Sequence, residues 1–392
     1  MLNGLRVLDL TKSLAGPIAT MILGELGADV IKIEPPEGDE TRYWAPIVDG
    51  ESVYFMSINR NKRSIVIDLK TSEGREIFYR LVEKSDVVIE NFRPDVPKRL
   101  GIDYETLKKH NDKLIYCAIR GFGSDSPYRD KPSYDLLIQA LSGLMLSTGR
   151  ENDPPVRVAF ALFDIYTGMI AAITILSSLV KRMRSGEGSY IEVSLYDTAI
   201  FSMTYIPMIY LVTGNKPKRY GHAHPSIVPY QAFLTRDNKW IAIAVTNDRF
   251  WSNLCKALER EDLCTDPRFR SNPDRVRNRE ELIKILEEEF RKKTREEWLK
   301  ILEKHDVPAA PVYELDEVFK DPHVVSSKIV VEVPHTKLGS VKQIVFPAKI
   351  NGERPSIKHP PPILGEHTDE ILREIGFSDY QIRILREKKV II

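Results

Sequence analysis

Short apolar runs alternate with helix-forming stretches over the first half of the sequence, and this alternation limits the possible folds more than any other feature. Residues 5–10 form an apolar run, residues 18–26 form a stretch of small and apolar side chains, and residues 29–34 (DVIKIE) form a second apolar run. A strand, a helix and a second strand in this order predict a βαβ unit at the start of the chain.

The same rhythm continues further along the chain. Apolar runs at 64–69, 86–91, 114–123 and 191–195 predict strands, and a helix is expected at about 72–84. Strands that alternate with helices form a mostly parallel sheet covered by helices. We therefore predict an α/β fold, with a doubly wound, Rossmann-like large domain.

The pattern changes after about Thr213. A turn-rich segment with three prolines leads into a hairpin-like stretch around Asp237 and Asn238, followed by three amphipathic helices. This change predicts a smaller α+β domain, with a C-terminal segment that returns to the large domain. The expected ranges are 1–204 for the first part of the large domain, 205–230 for a linker, 231–322 for the small domain and 323–392 for the C-terminal segment.

The charge balance gives no general attraction to polyanions. The chain has 57 basic and 56 acidic residues among 392, for a net charge of +1. We therefore expect neither nucleic acid nor a membrane surface as a partner, although a local basic pocket could hold a phosphate-bearing ligand.

Cysteine content and the N-terminus point to the cytoplasm. The three cysteines are too few and too far apart for a disulfide framework or a CxxC metal site. No basic, then apolar, N-terminal segment predicts secretion. The long apolar stretch at 161–180 contains Asp164 and several hydroxyl residues, so we interpret it as a buried helix rather than a membrane span.

Common cofactor and catalytic motifs are missing. The first turn (SLAGP, residues 13–17) lacks the glycine spacing of a dinucleotide site, and no HExxH, GxSxG, P-loop or zinc-ligand pattern occurs. We expect no metal site. His222 and His224 are the only close histidine pair, and their Gly/Pro-containing surroundings favour an interpretation as exposed loop residues.

Asp164 is the exception in an otherwise apolar helix. Burial would raise the pKa of its carboxyl group, whereas the N-terminal end of a helix would stabilise the anion. Two interpretations stay open from the residues alone. Asp164 is either a helix cap or a desolvated nucleophile for covalent catalysis.

Several long motifs together resemble one family along the whole chain. They include LNGLRVLDLTKSLAGPIATMILGELGADVIKIEPPEGDETR, NRNKRSIVIDLKTSEGR, DVVIENFRPDVPKRLGIDY, RGFGSDSPYRDKPSYDLLIQALSGL, SGEGSYIEVSLYDTA and PPPILGEHTDEIL. These stretches are similar to the class III CoA-transferases of the CaiB/BaiF type. That family includes formyl-CoA transferases and, as a close branch, the α-methylacyl-CoA racemases.

The resemblance implies an activity and an assembly. It implies that Asp164 attacks an acyl-CoA thioester, giving a mixed anhydride and then an aspartyl-CoA thioester, from which CoA passes to a free carboxylic acid. Coenzyme A would be part of the substrate, with no ATP, metal or other cofactor. The resemblance also implies a homodimer of two interlocked ring-like subunits.

Further site residues follow from the resemblance only. Lys70, Arg93 and Arg99 would hold the phosphates of the adenosine part, and Asp135 would lie near the nucleophile unless it caps its own helix. The full set expected to contact CoA or substrate is Leu14, Ala15, Ile67, Asp68, Leu69, Lys70, Asn91, Phe92, Arg93, Arg99, Tyr134 and Asp135.

The sequence differs from formyl-CoA transferases or racemases at three places, and these differences refine the predicted activity. Leu14 replaces a glutamine of formyl-CoA transferases, which points to a larger or less polar acyl group, and residues 221–224 replace a glycine run. Tyr134 stands where racemases have a histidine, and a phenol is a poor base at neutral pH. Racemase activity is the alternative, and a CoA-binding protein without activity is a minor one.

Overall fold

The computed structural model describes all 392 residues, which divide into two units. The larger unit contains Met1–Leu144, Arg157–Met208 and Lys328–Ile392, and the smaller contains Met145–Val156 and Ile209–Ser327. The C-terminal segment therefore belongs to the larger unit.

This division departs from the expected ranges around the linker. Residues 145–156 lie in the smaller unit, and the expected linker joins that unit from residue 209 onward. The reason is a short antiparallel pairing of Gly149–Arg150 with Tyr220–Gly221, which no hydrophobic pattern signals. Arg219 strengthens it by donating to the carbonyl oxygen of Thr148 at 2.7 Å.

A six-stranded parallel sheet forms the centre of the larger unit, as predicted. We number its strands in chain order as β1 (Arg6–Asp9), β2 (Asp29–Glu34), β3 (Lys62–Val66), β4 (Val87–Glu90), β5 (Ile115–Arg120) and β6 (Ser189–Ser194). Their spatial order is β3-β2-β1-β4-β5-β6, the order of doubly wound nucleotide-binding folds. The order in which successive strands are added to the sheet reverses between β1 and β4, so a crevice forms there at the carboxyl ends of the strands.

The sequence places β3 too late. The expected strand covers 64–69, whereas the observed one begins at Lys62 and ends at Val66. Lys62 is fully buried and donates to Asp9 of β1 at 3.0 Å, so its charge is neutralised inside the sheet. A hydrophobic pattern does not detect a charged residue at the start of a strand.

Helices and short hairpins cover this sheet. The two apolar cores on its faces are formed by strand residues and flanking helices. The helices are Ala15–Glu25, Val53–Ile58, Ser72–Glu83, Val96–Leu100, Tyr104–Leu107, Asp135–Leu141, Leu162–Ser185, Leu195–Ser202, Thr368–Glu374 and Asp379–Glu387, with a 3₁₀ turn at Glu40–Tyr43. The hairpins pair Ile47–Val48 with Glu51–Ser52 and Val330–His335 with Gly339–Ile344.

The smaller unit has its own core beneath a three-stranded antiparallel sheet. Its strands are Tyr230–Leu234, Trp240–Ala244 and Ala309–Pro311, and the first two form the hairpin expected around Asp237 and Asn238. Its helices are Asp248–Ala257, Asp262–Thr265, Asn272–Arg277, Arg279–Phe290, Arg295–Lys304, Leu315–Val318 and Pro322–Ser327. Two further helices, Leu144–Ser147 and Tyr205–Thr213, cross the chain positions at which the units divide.

The helix Leu162–Ser185, hereafter the long helix, is long and apolar enough to cross a membrane by length and composition alone. One of its faces is buried against the helix Ala15–Glu25, and includes Gly168, Ala171 and Ile175. The prediction of a buried helix holds for this face only, because Ile173 and Met183 on the same helix are exposed.

Candidate active site

A cavity of about 250 Å³ lies at the carboxyl ends of the strands, where the sheet order reverses. Residues 12–15 after β1, 91–94 after β4 and 119–121 at the end of β5 line it, together with Asp164. This crevice is the usual ligand position in open α/β sheets.

About half of the predicted site residues line this cavity. Those that do are Leu14, Ala15, Asn91, Phe92, Arg93, Tyr134 and Asp164. Those that do not are Ile67, Asp68, Leu69, Lys70, Arg99 and Asp135. Ile67 and Leu69 are buried in an apolar core, whereas Lys70 and Arg99 are exposed on the surface. Their contact with CoA stays a prediction.

Asp164 is the third residue of the long helix and is not its cap. The N-cap is Ala161, which offers no side-chain acceptor to the helix. Burial, and to a smaller extent the negative charge of Asp135, raises the pKa of Asp164 from 3.8 to about 7. A more basic carboxylate is a stronger nucleophile, so the site favours attack by this group.

Asp135 belongs to another helix, and its side chain caps the N-terminal end of the long helix. Its Oδ1 accepts a hydrogen bond of 2.8 Å from the backbone N–H of Phe163. The alternative that Asp135 caps its own helix is wrong, because Tyr134 occupies the N-cap of Asp135–Leu141 and Asp135 is the first helical residue. A capping carboxylate is therefore held next to Asp164.

Gln139 holds the Asp135 side chain in place through hydrogen bonds. It is fully buried, and its Nε2 donates to Asp135 Oδ2 at 2.5 Å. Its Oε1 accepts from the backbone N–H of Val158 at 2.9 Å. Gln139 thus joins Asp135 to the chain that enters the long helix, a role that its type and position in the sequence do not reveal.

Asn91 links two of the cavity loops. Its Oδ1 accepts from the backbone N–H of Lys12 at 2.9 Å, and its Nδ2 donates to the Lys12 carbonyl oxygen at 2.8 Å. Both polar atoms of the side chain are thereby used by the protein. The Asn91 side chain positions the first loop, and its expected contact with CoA stays untested.

Buried ion pairs support the same loops from below. Arg120 donates to both carboxylate oxygens of Glu90 and to the Phe92 carbonyl oxygen, which sets the loop after β4. Lys32 donates to the Thr11 carbonyl oxygen at 2.9 Å, which sets the loop after β1. Buried charges of this kind must be paired, so they fix the loops in one arrangement.

Several cavity residues are missing from the sequence-based set. They are Lys12, Ser13, Glu40, Pro94, Ile119, Arg120, Gly121, Arg129, Asp130, Lys131, Pro132, Ser133 and Leu195. Seven of them lie at the carboxyl end of an observed strand or within four residues after it, so the rule that ligands bind at the carboxyl ends of parallel strands would have found these seven: Lys12, Ser13, Pro94, Ile119, Arg120, Gly121 and Leu195. Glu40 and residues 129–133 lie further along the loops, and no strand pattern marks them.

The two close histidines make local contacts within the smaller unit. His222 Nδ1 accepts from the Ala232 N–H at 3.3 Å, and its ring meets Trp240 edge to face. His224 Nδ1 accepts from the Ser226 N–H at 3.1 Å. These contacts agree with an interpretation as loop residues. No three His, Cys, Asp or Glu side chains are grouped as metal ligands.

Comparison with known proteins gives a consistent result. The model of CoA-transferase family III matches residues 2–368. Human succinyl-CoA:glutarate CoA-transferase is 39% identical over 95% of this chain and 86% of its own length. Succinyl-CoA:mesaconate CoA-transferase from Haloarcula hispanica is 39% identical over 96% of both chains.

A solved structure agrees with these matches. The crystal structure of a CaiB/BaiF family protein from Brucella suis superposes with a TM-score of 0.85 at 39% identity, and covers 95% of this chain and 99% of that chain. At 95% coverage the match extends over both units. The chain therefore belongs to CoA-transferase family III.

Proposed function

We propose that Asp164 is the nucleophile of an acyl-CoA:carboxylate CoA-transferase. The transferase activity follows from the family, and one observation carries the assignment of the residue. Asp164 is a carboxylate with a pKa raised to about 7, and it lines the cavity at the switch point of the sheet. A desolvated carboxylate of this kind can attack a thioester, which needs no metal or nucleotide cofactor.

The proposed steps conserve all atoms. The Asp164 carboxylate attacks the thioester carbonyl and releases CoA thiolate, which leaves a mixed anhydride. The thiolate then attacks the Asp164 carbonyl, and the donor acid departs with the oxygen that bridged the anhydride. The acceptor carboxylate repeats both steps in reverse order, and Asp164 keeps one oxygen of the acceptor. Excluding water protects the anhydride from hydrolysis.

We infer a dicarboxylic acid as one of the substrates. The names of the two relatives pair succinate with glutarate and with mesaconate, which are all dicarboxylates. The cavity of this chain is lined by cations that could hold a second carboxylate and the phosphates of CoA. Among these, Arg93, Arg129 and Lys131 are exposed and suited to phosphates.

A homodimer is proposed from exposed apolar side chains. Met183 is 86% exposed and Ile173 is 62% exposed on the long helix, and Phe201 on the next helix is 75% exposed. Soluble monomers rarely expose apolar surface in such groups. The resemblance supports interlocked subunits, and light scattering should give twice the mass of one chain.

The compartment proposed is the cytoplasm. Cys117, Cys255 and Cys264 are free thiols, and the first two are buried. Proteins of oxidising compartments more often pair such residues in disulfides.

Isotope transfer tests the mechanism. The enzyme is incubated with an acyl-CoA and a dicarboxylic acid labelled with oxygen-18, and the peptide that contains Asp164 is analysed by mass spectrometry. One label should enter Asp164 with each turnover. Transfer that proceeds while Asp164 stays unlabelled would exclude the aspartyl anhydride. The Asp164→Asn variant supplies the unlabelled control.

A further inference from the structure

Five cations line the cavity, and three of them have a partner in the protein. Arg120 pairs with Glu90, Arg129 pairs with Asp130, and the Lys131 ammonium lies 3.9 Å from the centre of the Tyr128 ring. The remaining two, without an ion pair, are Lys12 and Arg93.

Lys12 and Arg93 differ in their surroundings. Arg93 is exposed at the surface, whereas Lys12 is half-buried. The Asn91 side chain holds both backbone polar groups of Lys12, so the position from which its side chain extends is fixed. An ammonium group that is partly removed from water is stabilised when an anion binds beside it.

None of the anionic side chains that line the cavity forms an ion pair with Lys12. Glu40 accepts a hydrogen bond of 2.7 Å from Ser13 Oγ, and Asp130 pairs with Arg129. Asp164 is the nucleophile itself, and no ion pair joins it to Lys12. The charge of Lys12 is therefore available to an anionic group that enters the cavity.

Lys12 also lies in the segment that packs on the nucleophile helix. The backbone oxygen of Ala15 lies so close to Gly168 that a Cβ built at Gly168 would approach it to 2.4 Å. Gly168 follows Asp164 by about one helical turn. The segment 12–15 thus runs beside the start of the long helix, with the apolar Leu14 between Lys12 and Ala15.

We propose that Lys12 binds the distal carboxylate of the dicarboxylic substrate, while the other carboxylate reacts at Asp164. This inference rests on the proposed function and names a residue that determines its acid specificity. Leu14 would contact the apolar carbons between the two carboxylates. The exposed cations then remain available for the phosphates of CoA.

The test compares paired acceptor acids with one acyl-CoA donor. Glutarate and valerate have the same carbon chain length, as have succinate and butyrate, and only the first of each pair has a distal carboxylate. In a ping-pong reaction, kcat/KM for the acceptor reports only the half-reaction in which that acid is used. The ratio of kcat/KM within a pair therefore measures recognition of the distal carboxylate.

Lys12→Met should lower the glutarate-to-valerate ratio by about 10- to 100-fold, with little change for valerate. Lys12→Arg should retain most of the preference, because it keeps the charge. Lys131→Met is the matched change at an exposed cation of the same cavity. It should alter the KM for acyl-CoA to the same extent with either acid, so the glutarate-to-valerate ratio should stay unchanged. Thermal unfolding checks that the variants fold.

Three results would overturn the inference, and they can be told apart. If the wild type transfers CoA to dicarboxylates with a preference that Lys12→Met retains, Lys12 does not read the distal carboxylate. The same holds if Lys12→Met slows both acids equally, which would assign Lys12 to CoA. If the wild type shows no preference for dicarboxylates, the proposed substrate class fails as well, and the inference fails with it.

Discussion

The Asp135 carboxylate accepts a hydrogen bond from the N–H of Phe163, the residue that directly precedes Asp164. Two acidic side chains are therefore held at the start of one helix. The pKa of Asp164 is raised first by its burial and then by the charge of Asp135. Asp135 thus acts on Asp164 both through its charge and through the helix start that it caps.

The rate of transfer should depend on pH through Asp164. With a pKa of about 7, this carboxyl group is protonated and inactive in mildly acidic solution. We expect kcat/KM for acyl-CoA to rise with pH and level off above about pH 7. A profile that is flat between pH 5 and 8, measured with a slowly reacting acyl-CoA, would contradict this assignment.

Asp135→Asn should shift the rise of kcat/KM with pH to lower pH. The substitution removes a negative charge near Asp164 but leaves the oxygen that can accept from Phe163, so the pKa of Asp164 should fall while the helix start keeps an acceptor. We expect Asp135→Asn to transfer CoA more slowly than the wild type, and its pH profile of kcat/KM should still show the shifted midpoint. An unchanged midpoint would mean that burial alone sets the pKa.

Asp164→Asn should abolish transfer and stabilise the fold at neutral pH. Because burial raises the pKa of Asp164 above its unfolded value of 3.8, the folded state binds a proton that the unfolded state releases, and stability falls as pH rises from about 4 to 7. Each pKa unit corresponds to about 1.4 kcal/mol, so the gain above pH 7 can reach about 4 kcal/mol.

Urea unfolding of Asp164→Asn and the wild type at pH 4.5 and pH 8 measures this difference. The gain should be small at the lower pH and largest at the higher one. A variant that is less stable than the wild type at pH 8 would show that the carboxylate is stabilised by the folded protein, contrary to the burial argument.

Asn91→Leu should raise the KM for acyl-CoA several-fold. The change removes both hydrogen bonds to the Lys12 backbone, so the first loop loses its fixed position. Asn111→Leu is the matched control. Asn111 also bridges backbone groups, donating to the Val82 and Ser85 carbonyl oxygens, but it does not line the cavity. Its loss should lower stability without changing KM.

Racemase activity is expected to be absent. Tyr134 stands where a racemase needs a histidine, and its side chain is largely exposed at the cavity. A phenol is a poor base for removing an α-proton at neutral pH. We expect no deuterium to enter the α-position of a 2-methylacyl-CoA in deuterated water. Incorporation that depends on Asp164 would reverse the assignment.

The sequence predicts the sheet better than the site. Hydrophobic runs locate all six parallel strands, because five of them are buried on both faces and the edge strand β6, with Tyr190 exposed, still contains a short apolar run. The start of β3 is missed because Lys62 is neutralised by Asp9, a contact between residues far apart in the chain. Pairings of this kind depend on the fold and leave no local pattern.

The candidate site is predictable where a residue type is anomalous in its context. Asp164 is identified because a carboxylate is unexpected in an apolar helix. Gln139 and Lys12 are missed because their types are ordinary at their positions, and their roles appear only through contacts with Asp135 and Asn91. Asp135 resembles an N-cap in the sequence, yet the helix that it caps is a different one.

Chemical trapping tests the central claim most directly. The enzyme is mixed with an acyl-CoA and quenched with hydroxylamine or borohydride, and its peptides are mapped by mass spectrometry. We predict that the modification occurs at Asp164 alone, because only this residue forms an anhydride or thioester. Modification of another residue, or transfer at the wild-type rate by Asp164→Asn, would contradict the account.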